Sequence, residues 1–328
     1  MSQQYGGMFL RHLHATVLCL TALLPLCLGA APAAPSTDPE ASQRMDAILP
    51  LGLKSIPGSV PTFYSAHAGA RAKYLQGLLG GEIGYYTEQF QARFGPIAMA
   101  VLNAAQWTKV AGAEPYGMPS VEGTTPAVIL MPASWDGVTW MAVPERAQVP
   151  PAMLRRALAG GRSWQQVKFE GCDGIGTHEM GHFIIHQLGI DAQTHWFNEF
   201  LASYVGYAYL RAKLPEQALS NELFWIAGLQ HSPHLFTRLD DFENKYDELQ
   251  EKYPGNYGWY QLALDQRVIE IYRQSGVDYL KTIRAEFPAG GPRLDNAQLL
   301  EKLERISAGW QAWAVRLEAA QVVADPQS

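Results

Sequence analysis

Cysteine is scarce in this chain of 328 residues: there are 3, and Cys19 and Cys27 both lie in an apolar N-terminal stretch. With that stretch removed, Cys172 stands alone and no intramolecular disulfide can form, so a packed core has to supply the stability. Charge is thin as well. Asp, Glu, Lys and Arg make up 17% of the residues against 48% hydrophobic ones, which excludes the high-charge composition of disordered chains. No Lys/Arg run stands out, and the net charge is −6. Nucleic acid is therefore not an expected partner. Internal repeats are absent, and so are low-complexity tracts beyond the N-terminal region.

What is present begins with a targeting pattern. Met1 to His14 carries Arg11 and no acid, Ala15 to Ala30 is almost wholly apolar, and Ala30-Ala31-Pro32-Ala33-Ala34 supplies small residues. This is the order of a secretory signal, expected over 1–33, with Ala30 and Ala33 both acceptable as cleavage sites. Pro25 and the short apolar run argue against a stable span, which needs about 20 residues. A secreted or periplasmic protein is expected, with a membrane as partner only if the leader stays attached. Residues 34–45, rich in Ala, Pro, Ser and Asp, read as a flexible lead-in. The folded region is expected over 46–328.

Hydrophobic spacing divides that region. From Tyr64 to about Phe94 apolar residues recur at three and four, a helical pattern that Gly95-Pro96 stops. Ile97–Leu102 and Ala127–Met131 read as buried strands, and Val138–Val143 as a further one at an edge. Residues 46–150 thus predict a helix on a small sheet, an α+β layer pair. The part over 151–328 is mainly helical, with helices expected near Asp173–Leu188, His195–Leu214, Pro215–Leu229, Trp259–Ser275, Asp278–Phe287 and Asn296–Ala320. Gly189 sits where a left-handed cap would close the first of these.

Within it, His178-Glu179-Met180-Gly181-His182 is an HExxH sequence. On a helix, positions i and i+4 share a face, so both imidazoles can reach one metal ion. Glu179 lies about a quarter-turn away, where a carboxylate can take a proton from an attacking water. Residue type and spacing point to zinc-dependent peptide hydrolysis. Catalytic zinc usually takes three protein ligands, and Glu199, on the following helix, is a candidate third. His195 shares its face and is a rival.

Trp196-Phe-Asn-Glu-Phe-Leu-Ala202 resembles the Trp-Leu-Asn-Glu-Gly-Phe-Ala segment found in gluzincin metallopeptidases, the peptidase MA-like group. The resemblance is specific over 176–204. It implies a zincin-like fold, one zinc ion held by His178, His182 and Glu199, Glu179 as general base and acid, and a peptide or protein substrate. The Gly-Ala-Met-Glu-Asn motif of the aminopeptidase members is missing, so exopeptidase activity does not carry over. Asn256–Gln261 is similar to the Tyr-initiated helix of those aminopeptidases, which implies Tyr260, with Tyr257 second, as the hydrogen-bond donor to the oxyanion. His231 and His234 are alternatives for that role.

Other residues take quieter roles. His186, one turn past the motif, is too far from His178 to share an ion. Cys172 is expected as a buried small hydrophobe rather than a ligand. Substrate could pair with the strand at Ala127–Met131 or that at Val138–Val143. Two other classes fit the leader and the zinc site: a non-catalytic zinc-containing binding module, which would not need Glu179, and a membrane-tethered interaction protein.

Overall fold

A computed structural model describes residues 38–141 and 143–323; the expected leader over 1–33 lies outside them. The chain opens with α1 (Pro39–Ile48) and a short hairpin-like pair, β1 (Lys54–Ile56) and β2 (Thr62–Tyr64). Helix α2 (Gly69–Phe90), β3 (Ile97–Leu102), α3 (Ala104–Ala111), β4 (Ser120–Glu122) and β5 (Ala127–Pro132) follow. After a long loop come α4 (Pro151–Ala157), α5 (Trp164–Gln187), α6 (His195–Lys213) and α7 (Pro215–Leu229). The rest is helical: α8 (Leu239–Asn244), α9 (Tyr246–Lys252), α10 (Pro254–Ser275), α11 (Asp278–Glu286), α12 (Asn296–Ile306) and α13 (Trp310–Glu318). The architecture is mixed α+β. No helix among the described residues is long and apolar enough to cross a membrane.

The sheet has five strands in the order β1-β2-β3-β5-β4. Its centre, β2-β3-β5, is parallel, and both outer pairs are antiparallel. Every residue of β5 is buried, as expected for an unbroken apolar run covered on both faces. Met99, Val101, Ile129 and Met131 point to the main core under the large helices, while Ala100, Leu102, Val128 and Leu130 point to a second cluster. That alternation is the period of two of a strand.

The second cluster corrects two expectations. The flexible lead-in over 34–45 does not hold for its described part: α1 starts at Pro39 and buries Ala41 and Ile48 beside Trp107 of α3. Asp38 caps it by accepting from the Glu40 amide, Pro39 stands where its missing N–H costs nothing, and Ala is a strong helix former. Arg44 then ties α1 to Glu114 and Glu122. The stretch between β3 and β5 contains α3 and β4. The described residues of Val138–Val143, in contrast, form no strand. Val138 packs at Gly117 and Pro132 instead, so its apolar character seals a loop. The edge strand is β4.

Helix α5 begins at Trp164, well before the expected Asp173, and carries Gly171, Gly174 and Gly176 within it. Each marks a close approach: a Cβ on Gly171 would lie 2.5 Å from Phe224, and one on Gly174 2.1 Å from Asn221, both of α7. Tertiary packing here overrides propensity. Gly189, at φ 67°, closes the helix as expected. Helix α2 ends at Phe90 with Gln91 at φ 49°, short of the expected Phe94. The single helix expected over Asn296–Ala320 is two, broken at Ser307–Gly309.

Candidate metal centre

The site is made where α5 crosses α6. Ser163 caps α5 and Thr194 caps α6, each side chain accepting from an amide three residues on. The two helices approach closely because the crossing is lined with small residues. A Cβ on Gly181 would sit 2.3 Å from the Ala202 carbonyl oxygen, and one on Gly206 2.7 Å from Thr177 Oγ1. This contact brings Glu199 onto the two histidines.

His178 Nε2 and His182 Nε2 lie 3.1 Å apart, and Glu199 Oε2 is 3.0 Å from the first and 3.5 Å from the second. Bonds of about 2.0–2.1 Å to a tetrahedral zinc imply ligand-to-ligand edges of about 3.3 Å. The triangle fits. The chemistry of the donors fits too: two imidazole nitrogens and one carboxylate oxygen form the only group of metal-holding side chains found among the described residues. Glu199 is 3% exposed, and its Oε2 is buried without a hydrogen-bond partner. An orphaned carboxylate oxygen aimed at two ring nitrogens is what a cation would satisfy. These residues would hold the metal.

Each group is also fastened from behind. His182 Nδ1 is 3.1 Å from the Asn198 side-chain amide and His178 Nδ1 is 2.9 Å from Ser203 Oγ. Tyr246, the first residue of α9, donates its hydroxyl to Glu199 Oε1 at 2.5 Å, leaving Oε2 free. Burial drives the Glu199 carboxyl up, but His182 and His178 beside it hold it well below the usual carboxylate range. Burial pulls His178 down, yet the Glu199 contact raises it to about 9.

Glu179 faces the cleft side, half-buried. Burial raises its carboxyl above the ordinary value, while His178 and His182 and the Val121 amide of β4 pull the other way. A carboxyl raised above its ordinary value holds a proton more readily once it has taken one. The Val121 contact also places the edge strand β4 over the motif helix. A recess of about 280 Å³ opens beside His182, walled by Ile185, Ile190, Asp191 and Asn198.

The structure brings together four of the five expected site residues, and Tyr260 is not among them. Its hydroxyl donates to the Arg238 carbonyl at 2.7 Å, and its ring packs on Phe242 and Trp259. The reason is helical phase. Helix α10 starts at Pro254 rather than Trp259, which puts Tyr257 a turn nearer the centre. The Tyr257 hydroxyl lies 3.5 Å from that of Tyr246 and accepts from Gln261 Nε2 at 2.8 Å. Burial, then the charges of Glu199 and Glu179, hold it protonated, well above its ordinary value.

His195 stacks on Tyr246 with ring centroids 4.2 Å apart, supporting that ring rather than joining the ligand group. His234 stacks on Trp259, and His186 is exposed one turn beyond the motif. Cys172 is buried with its thiol pushed up to about 12 by burial, as a small hydrophobe would be. Sequence reasoning missed Tyr246. It belongs to no motif and arrives through tertiary packing. No protein-family model matches the chain, and no curated protein matches it either.

Proposed function

We propose that this protein is a zinc-dependent peptidase of the gluzincin type, with a zincin-like fold, acting on peptides or proteins outside the cytoplasm. The observation that carries this reading is the triangle of His178 Nε2, His182 Nε2 and buried, orphaned Glu199 Oε2 with Glu179 beside it. Zinc, when bound, supplies a Lewis acid that polarises the scissile carbonyl and makes a water easier to deprotonate. Glu179 accepts the proton of the attacking water and passes it to the leaving amine. Tyr257, rather than Tyr260, donates a hydrogen bond to the carbonyl oxygen as negative charge develops there. Strand β4 has a free edge at the end of the sheet and lies against α5. An extended substrate would pair with it, in place of the strands at Ala127–Met131 and Val138–Val143. The recess beside His182 would receive one of its side chains.

Glu179 speaks against a purely structural zinc site, which has no use for a half-buried base next to its ligands. The leader expected over 1–33 supports secretion or a periplasmic location. The experiment is cleavage of a peptide library by the purified protein, with and without a chelator. Hydrolysis abolished by the chelator and restored by zinc is the expected result; chelator-resistant hydrolysis, or none at all from zinc-loaded protein, would overturn the reading.

A further inference from the structure

Glu199 has two oxygens, and their surroundings differ. Oε2 stands 3.0 Å from His178 Nε2 and 3.5 Å from His182 Nε2 and has no hydrogen-bond partner. Oε1 accepts from the Tyr246 hydroxyl at 2.5 Å. An ionised carboxylate can only accept, so the phenol must donate, and at that length the bond is of the strong, charge-assisted kind. The phenol is itself well held. Its ring stacks on His195 with centroids 4.2 Å apart, and it meets Phe242 and Tyr257 edge-on at 5.4 Å and 5.8 Å. Helix α8, which leads into it, is fastened near both ends. The Arg238 carbonyl just before α8 accepts from the Tyr260 hydroxyl at 2.7 Å, and Glu243 near its end accepts from the His195 amide at 2.7 Å. That amide is among the donors left unpaired at the start of α6, the helix that carries Glu199.

We propose that Tyr246 is a positioning residue that restricts Glu199 to a single-oxygen ligand and so keeps one coordination position of the metal open. This rests on the metal-centre reading above. Carboxylates bind cations through one oxygen or through both. Catalytic zinc takes three protein donors and keeps a fourth position open; a carboxylate with both oxygens on the ion would crowd that position. With its hydroxyl on Oε1, Tyr246 makes such a turn break a charge-assisted hydrogen bond. Glu199 is 3% exposed, so water cannot replace the lost partner, and breaking the bond is costly. The imidazoles are steadied by Ser203 and Asn198; Tyr246 steadies the third donor and also sets how many of its atoms reach the metal.

The test uses the purified full chain and two probes. One is Zn2+ in competition with a chromophoric chelator; the other is Co2+, whose visible absorption bands weaken as its coordination number rises. Wild type should show the strong bands of a four-coordinate ion. Tyr246→Phe removes the hydroxyl alone. It should lose about 10- to 100-fold in zinc affinity, the range for outer partners of metal ligands, and its cobalt bands should weaken. His195→Ala takes packing from the same ring but leaves the hydroxyl, so both readings should stay near wild type. Wild-type or higher affinity in Tyr246→Phe, lowered affinity with unweakened bands, or the same losses in His195→Ala would overturn the proposal. Should metal-free Tyr246→Phe fail to fold, it is refolded with Co2+ present and the bands decide. If wild type binds neither Zn2+ nor Co2+, the metal-centre reading falls as well; if it binds them and Tyr246→Phe matches it, only the role of Tyr246 falls.

Discussion

Two glutamates buried in helices show how differently this molecule treats a carboxyl group. Glu82, in the middle of α2, is fully buried, and neither of its oxygens has a partner. Burial alone raises it well above the ordinary value, so it keeps its proton. Glu199 on α6 is equally shut from water but stands among two imidazoles and the Tyr246 hydroxyl, and it stays ionised. The depth is the same and the charge is opposite. What separates core from centre is the company of polarisable and cationic groups, since burial by itself only disfavours charge. The α2 region tolerates an acid; the α5–α6 crossing uses one.

The largest expected effect comes from erasing that company. Glu199→Ala removes a ligand outright and should lower zinc affinity by more than the about 100-fold upper range for outer partners, whereas His195→Ala should leave it near wild type. Competition titrations rank the two. Next comes the oxyanion donor: Tyr257→Phe should reduce kcat about 100-fold with zinc content unchanged, and Tyr260→Phe should leave kcat intact while losing the bond to the Arg238 carbonyl. Equal kinetics for both variants would remove tyrosine from the chemistry. The crossing itself is tested by Gly181→Ala, whose added methyl would meet the Ala202 carbonyl oxygen at 2.3 Å. It should cost about 1–3 kcal/mol of stability and, by pushing α6 away, weaken zinc binding too. Denaturant titration and metal titration on one preparation read both.

Much of that crossing can be read from the chain, because the motif supplies both ends of a short path. HExxH fixes the phase of His178, Glu179 and His182 on α5, Gly189 fixes where that helix stops, and Asn198-Glu199 opens the next one. Each of these signals is local. Tyr246 reaches the site only through the way α8 and α9 fold back, for which no spacing rule exists. Tyr260 fails for a related reason: the start of α10 sets which tyrosine faces inward, and Pro254 rather than the aromatic cluster marks it. β4 is three residues long, too short to show an alternation, yet it forms the edge over Glu179. Helix α1 is disguised by an Ala- and Ser-containing composition shared by linkers and helices. The early start of α5 is hidden by Gly171, whose packing partner, Phe224, is remote in sequence.

The smallest effect sharpens the opening contrast. An acid whose folded pKa is raised contributes stability that is complete below its unfolded value, near 4.5 for Glu82, and is lost as pH rises toward the folded value. Glu82→Gln should therefore stabilise the protein at pH 8 relative to wild type and do little at pH 4. Glu199, held below 4.5 when folded, has the opposite sign: its contribution is present above that value and lost as pH falls through the folded one. Glu199→Gln in metal-free protein should destabilise at pH 8. Thermal unfolding of both variants at the two pH values decides it; the same sign for both would contradict the contrast.

The central claim is that three residues hold a metal while a fourth moves the proton, and Glu179→Gln separates those jobs in one protein. The variant keeps size and hydrogen bonding but cannot accept the proton of water. Zinc content and peptide hydrolysis measured on the same sample should show about one zinc per chain and almost no turnover. Hydrolysis near the wild-type rate, or loss of zinc together with activity, would contradict the account.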